Sequence, residues 1–293
     1  MDIAAPIRTD ECVVLADGVR RLTAPNPSVL TGGGTNTYLL GNGPYCVIDP
    51  GPADASHAAR ILAATRRNIA AILVTHTHPD HSPAARLLKR ETGALIYAHR
   101  SRLQGVRDME FRADEFLADG DVFRAGEIEL LVMHTPGHAI DHLCFLDPIS
   151  RWFFVGDQLM GGATVVIAPP DGNLIEYLSS LRRMAAAEAR YAAPAHGAVF
   201  GDPVVEIEAV IKHRQAREEE ILAVLRDGRA RRVDEVVMAV YRGLPSALLP
   251  YAAQSVHAHL LKLLHEGRVR PTSAGGGNIW RLIPGSGIDS RNS

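Results

Sequence analysis

Ile69-Ala70-Ala71-Ile72-Leu73-Val74-Thr75-His76-Thr77-His78-Pro79-Asp80-His81 is the stretch on which the reading of this 293-residue chain turns. Ile69–Thr75 is short and apolar, which predicts a buried strand. A helix is predicted directly after the cluster, over Ser82–Glu91. The polar residues therefore fall where a strand hands over to a helix. A sharp turn there lets His76 and His78 converge on one point while Asp80 and His81 reach a second. Imidazole and carboxylate are preferred ligands for zinc and its borderline neighbours. One histidine after a strand is most often structural. Three histidines and an aspartate within six residues point to metal.

Working outward, Thr37–Leu40 and Tyr45–Ile48 are predicted strands joined by a turn at Gly41-Asn42-Gly43-Pro44, and Cys12–Arg20 is read as one earlier strand. Asp54–Thr65 is a predicted helix with its apolar stripe at Ala58, Ile61 and Leu62, and Ala94–Ala98 is a strand. Further strands follow at Asp121–Arg124, Ile128–His134, Leu143–Leu146, Trp152–Val155 and Tyr191–Ala193, with a helix over Leu174–Ala189. This order implies an α/β layered domain with two sheets. Gly201-Asp202-Pro203 breaks the pattern. Helices over Val204–Arg226, Val233–Tyr241 and Ala252–Glu266 come next. A hairpin of Arg268–Arg270 and Ile279–Leu282, turning at Ser273–Asn278, completes the outline of a winged helix. The expected division is 1–202 and 203–293, with Pro284–Ser293 a loose end.

The other polar clusters also sit just past apolar runs, where open α/β sheets gather their sites. Ile128–Met133 leads into His134-Thr135-Pro136-Gly137-His138-Ala139-Ile140-Asp141-His142. Trp152–Val155 ends in Gly156-Asp157, and Tyr191–Ala193 ends in Pro194-Ala195-His196-Gly197. The candidates are thus His76, His78, His81, His138 and His196 with Asp80 and Asp157. Seven is too many for one tetrahedral zinc. It is what two adjacent metals need if one carboxylate bridges them and solvent hydroxide completes the pair. His134 and His142 are surplus to both shells, and each is a supporting group, a proton donor, or otherwise a satisfied histidine at a strand terminus. The remaining histidines, His57, His99, His213, His257, His259 and His265, have no motif context.

Composition bounds the rest. The chain is 46% apolar and 22% charged, which excludes a disordered polymer, and no apolar run is long enough for a membrane span. MDIAAPIRTDEC is no signal peptide, and the scattered, unpaired cysteines Cys12, Cys46 and Cys144 suit a cytoplasmic protein. Residues 1–202 carry 18 basic and 23 acidic side chains, whereas residues 203–293 carry 13 and 10. Neither part has the excess expected of a protein that lives on phosphates.

With its order of His138, Asp157 and His196 after His76-Thr77-His78-Pro79-Asp80-His81, the chain resembles the metallo-β-lactamase fold hydrolases over roughly residues 12–202. The resemblance implies a four-layer αβ/βα sandwich. It also implies a first metal on His76, His78 and His138, a second on Asp80, His81 and His196, and Asp157 as bridge. Two zinc ions are the implied cofactors, with manganese or iron as alternatives. Gly34–Leu39, His134–His142, Gly156–Gly161 and Asp171–Leu181 resemble the branch containing the animal β-lactamase-like protein 2. Members of that branch carry a C-terminal winged-helix-like domain. The animal protein is a mitochondrial endoribonuclease of single-stranded RNA, and the wider family includes thioesterases of glutathione and of polyketide carriers. Lactamases of the commonest type have cysteine where Asp157 stands, so antibiotic hydrolysis is not expected.

The expected activity is hydrolysis of an ester or thioester, with Asp80 orienting the nucleophile and relaying its proton and His142 as the further catalytic candidate. The alternative is endoribonuclease. The apolar segment Gly161–Pro170 favours the first, as a greasy wall for an acyl group. Arg100, Arg102, Arg107 and Arg112 form a basic run able to meet a phosphate of coenzyme A or RNA. Arg226, Arg229, Arg231 and Arg232 precede the short helix, yet the third helix is poor in Lys and Arg. A small acyl substrate is the expected partner, no membrane is, and RNA and a second copy of the chain stay open.

Overall fold

A computed structural model describes residues 5–100, 107–272 and 279–284. The Ser273–Asn278 turn, Arg102 and the tail beyond Pro284 lie outside the described residues. Cys12–Arg20 is two strands, not one. β1 (Cys12–Ala16) and β2 (Val19–Thr23) pair antiparallel about Asp17-Gly18. Gly18 has φ +68°, so Asp-Gly makes the hairpin reversal that the apolar residues on either side concealed.

β3 (Asn36–Leu40), β4 (Tyr45–Ile48), α1 (Ala55–Ala64), β5 (Ile69–Leu73), α2 (Ala84–Thr92), β6 (Leu95–His99) and β7 (Glu115–Leu117) follow. β1 to β7 form one sheet in sequence order. β8 (Val122–Ala125), β9 (Ile128–His134), β10 (Leu143–Leu146), β11 (Trp152–Gly156), α3 (Leu174–Ala185), β12 (Tyr191–Pro194) and β13 (Phe200–Gly201) come next. Their strands form the second sheet, in the order β13-β12-β11-β10-β9-β8. β7 and β13 are too short to show a period and were not expected.

Side-chain alternation builds the layers. Along β4 and β5, Cys46, Ile48, Ala71 and Leu73 face one core while Val47 and Ile72 face another. Along β10 and β11, Leu143, Phe145, Trp152 and Phe154 enter that first core, and Cys144, Leu146, Phe153 and Val155 turn to the far side. The shared core lies between the sheets, and α1 with α2 on one side and α3 on the other cover the outer faces. Removing Phe145 or Phe154 would cost about 3–5 kcal/mol, the scale for a buried aromatic. The result is the expected four-layer sandwich.

Asp54 caps α1 by accepting from the amides of Ser56 and His57, and Asn173 caps α3 in the same way. α3 stops at Ala185, short of the expected Ala189. Arg151 takes the carbonyls of Ala187 and Glu188 at 2.7 and 3.0 Å, and Glu188 turns to φ +50°. α4 (Pro203–Leu225) then runs from one core to another. Ile207 and Val210 pack with α3, whereas Ile221, Leu222 and Leu225 join Val236, Leu260 and Trp280. That second cluster belongs to β14 (Arg231–Arg232), α5 (Val233–Val240), α6 (Leu249–His265), β15 (Val269–Pro271) and β16 (Ile279–Leu282). The three short strands pair as β14-β16-β15, the wing of a winged helix. α6 starts earlier than expected because Pro250 sits in its first turn, where a missing N–H costs nothing. Among the described residues no helix is long and apolar enough to cross a membrane.

Candidate metal centre

The loops after β5, β9, β11 and β12 meet at one edge of the sandwich and bring the seven candidates together. Three groups have ligand atoms within 4.8 Å of one another: His76, His78 and His138; His76, His81 and Asp157; and Asp80, His81 and His196. The two sheets are tied at this edge. The Asn36 amide donates to Ala195 O at 2.7 Å, and the Asn36 side chain donates to the carbonyls of Pro194 and Gly197 at 3.0 and 2.8 Å.

Outer partners set each imidazole. His138 Nδ1 donates to Val166 O at 2.9 Å, and His78 Nε2 donates to Asp171 Oδ2 at 3.2 Å. His76 Nδ1 donates to Thr75 Oγ1 at 3.0 Å, and that hydroxyl passes on to Asp49 Oδ2 at 2.7 Å. The inward nitrogens of neutral rings so held are bare lone pairs. Yet His78 Nδ1 lies 2.9 Å from His76 Nε2 and 3.1 Å from His138 Nε2. Three lone pairs facing one another are unfavourable, and a cation among them removes the conflict.

The second cluster is built alike. His81 Nδ1 donates to Asp49 Oδ2 at 3.0 Å and His196 Nδ1 to Gly34 O at 3.3 Å. Their Nε2 atoms are turned to Asp80 Oδ2, each at 3.4 Å. Asp157 Oδ1 stands 3.6 Å from His81 Nε2 and 3.3 Å from His196 Nε2, while its Oδ2 stands 3.4 Å from His138 Nε2. His81 Nε2 and Asp157 Oδ1 are buried without a hydrogen-bond partner. Orphaned donor atoms of these types fit a metal. Asp80 is the less buried of the two acids, its side chain 26% exposed, and accepts from Thr35 Oγ1 at 3.1 Å.

Burial pushes imidazoles down, and it takes His138 to about 4 and His76 well below the ordinary value. Burial opposes the charge on His196 too, but Asp157 and Asp80 push that ring up to about 10. Asp157 is likewise held well below the carboxylate range by His196 and His81, against the effect of burial. Opposite charge therefore wins at His196, whereas burial wins at His138 although Asp157 Oδ2 stands 3.4 Å from its Nε2.

His142 is fully buried and satisfied at both nitrogens. Nδ1 is 2.9 Å from Thr135 Oγ1, and Nε2 accepts from the Asp157 amide at 3.1 Å. Both nitrogens are thus engaged within the protein, and the Nε2 contact ties the ring to the backbone of Asp157. His134 turns away from the cluster, bonding Ile140 O at 2.9 Å and stacking on His99 at 3.9 Å between centroids. The described members of the basic run have these surroundings. Arg107 is buried between Asp141 and Asp171, Arg100 lies over the Phe116 ring, and Arg112 donates to the carbonyls of Met109 and Phe111. In the Gly161–Pro170 segment, Val165 and Ile167 point into the α3 core, and Gly161–Thr164 are exposed. His57 and His259 are buried.

Sequence reasoning passed over Asp49, Thr35 and Thr75. Asp49 follows the apolar run of β4 just as Asp157 follows β11, so the same signal was there to be read. Asp141, Asp171 and Arg107 lay in quoted motifs, but their mutual pairing could not be seen along the chain.

A profile of the metallo-beta-lactamase superfamily matches residues 30–196, more than half of the chain. The chain belongs to the metallo-beta-lactamase superfamily. This superfamily member also matches the beta-lactamase associated winged helix domain over residues 233–280. It is 32% identical to the "Beta-lactamase-like protein 2 homolog" of Drosophila melanogaster, across 94% of this chain and 97% of that one. It is 30% identical to an "Atrochrysone carboxyl ACP thioesterase" of Aspergillus chevalieri, across 90% and 87%. A metallo-beta-lactamase family protein of Thermus thermophilus superposes with a TM-score of 0.78 at 22% identity, covering 92% of this chain and 100% of that one. That likeness speaks for the fold alone.

Proposed function

We propose that the chain is a dinuclear-metal hydrolase of esters or thioesters, with His76, His78 and His138 holding one ion, Asp80, His81 and His196 the other, and Asp157 between them. The observation that carries this reading is the division of Asp157, one oxygen toward His81 and His196 and the other toward His138. Zinc suits an imidazole and carboxylate donor set, as do manganese and iron. Ions bound there would lower the pKa of water and polarise a carbonyl oxygen, the chemistry that ester and thioester hydrolysis needs.

The chain's own residues do the rest. Asp80 keeps part of its carboxylate open to solvent, so it can accept a proton from an attacking water and return it to the leaving thiolate or alkoxide. Asp49 orients His81, and Asp171 orients His78. His142 acts through Asp157 as a positioning residue. All seven donors lie within 1–202, and we propose that span as the catalytic unit and 203–293 as the winged-helix unit.

A thioester is favoured because a relative of similar length is named an ACP thioesterase and because several basic side chains of the C-terminal unit are paired with acidic neighbours. Lys262 pairs with Glu218 and Glu266, Arg231 with Asp227 and Arg232 with Asp234. The second reading, RNA cleavage, draws on the likeness to the Drosophila protein and on the winged helix. The test is a parallel assay of zinc- and manganese-loaded protein on acyl-coenzyme A, acyl-carrier and aryl esters and on unstructured RNA, at two salt concentrations. Turnover of a thioester or ester, insensitive to salt and abolished in His78→Ala, is expected. RNA cleavage that weakens with salt, without ester or thioester turnover, would overturn the choice.

A further inference from the structure

His138 is aimed by the carbonyl of Val166, which lies on a segment outside any strand. The preceding carbonyl, Val165 O, accepts from Nη2 of Arg214, a residue of α4. Arg214 is 3% exposed. Its Nη1 reaches Ser255 Oγ of α6 at 3.4 Å, its guanidinium carbon lies 5.6 Å from the Tyr177 ring centroid, and its Nε has no hydrogen-bond partner. Among the described residues it forms no ion pair with a carboxylate. A buried guanidinium without a counter-ion is costly, and a methionine would fill the space without that cost. What the arginine adds is a directed hold on one backbone carbonyl.

Tyr177, beneath the guanidinium, backs both sides of the site. Its hydroxyl donates to Gln158 O at 2.8 Å, one residue beyond Asp157. Its backbone also sits so close to Gly137, next to His138, that a Cβ there would lie 2.2 Å from Tyr177 Cα. We propose that Arg214 is a positioning residue through which the C-terminal helices set the ligand His138. By pinning Val165 O, it holds the neighbouring Val166 O where it keeps the proton on His138 Nδ1 and points Nε2 at His76 and His78. The inference rests on the metal-centre reading above.

Cobalt(II) titrated into the full-length chain, followed by visible absorption, tests it without recourse to activity. Wild type should give a histidine-ligated spectrum. Arg214→Met should bind about tenfold to a hundredfold more weakly, the usual effect of losing an outer support, with an altered spectrum. Arg214→Lys should fall between. Leu260→Ala, a cavity in the C-terminal core, should lower stability but leave the spectrum alone. Wild-type affinity and spectrum in Arg214→Met overturn the inference and leave the metal centre standing. No cobalt binding by wild type overturns the metal-centre reading itself. If Arg214→Met does not fold, Arg214→Lys carries the comparison, and an unchanged spectrum there overturns the inference.

Discussion

The Asp157 amide donates to Nε2 of His142 at 3.1 Å, so a fully buried ring holds the backbone of a carboxylate that faces both donor clusters. A His142→Ala variant should therefore lose about tenfold to a hundredfold in kcat, with KM little changed. Its pH–rate profile should keep both limbs. A direct proton donor would instead remove the basic limb, and that result would return His142 to the chemistry.

Gly156 makes the same contact possible. At φ +51° an added Cβ would lie 2.5 Å from His142 Nε2 and 3.0 Å from Thr75 Oγ1. Gly156→Ala should cost about 1–3 kcal/mol of stability from crowding and strain together. Denaturant melts with metal analysis alongside should register lower stability and lower metal content.

Arg107 is expected to matter for stability first and metal second. It is paired with both Asp141 and Asp171, all three buried. Arg107→Met leaves two carboxylates without their counter-ion, a loss of about 3–5 kcal/mol by the usual scale for a broken buried pair. Asp171 also accepts from His78 Nε2, so zinc affinity should fall as well. A melt within the range of wild type would contradict this.

Acid sensitivity should trace in part to His57, which is not one of the seven candidate ligands. Burial holds its pKa down to about 4, with Thr37 Oγ1 at 2.8 Å from Nε2. The unfolded chain protonates this ring near pH 6.5, and the folded chain resists until about 4. Stability is thus full above about pH 6.5 and declines as pH falls toward 4, by on the order of 3 kcal/mol from this ring. Urea melts between about pH 7 and pH 4 should show a shallower decline in His57→Gln, and identical slopes would refute the assignment.

Much of the sandwich was readable because the strands alternate between two apolar cores, which leaves short unbroken hydrophobic runs in the sequence. Ile69–Leu73 and Trp152–Gly156 are of that kind. The reading failed where a reversal hid inside apolar surroundings, at Asp17-Gly18, and where strands were two or three residues long, at β7 and β13.

By itself the sequence determined the donor types and where each would emerge, since a polar residue directly after a buried strand must surface at a sheet edge. It also determined that helices and a hairpin would follow Pro203. Only the tertiary structure decided which nitrogen of each ring faces inward, because that depends on partners distant along the chain: Asp49 for His81, Asp171 for His78 and Val166 for His138. The folded structure likewise took Arg107 out of the surface charge and His142 away from solvent. Hydrogen bonds of that range are a property of packing, and no local pattern of residues encodes them.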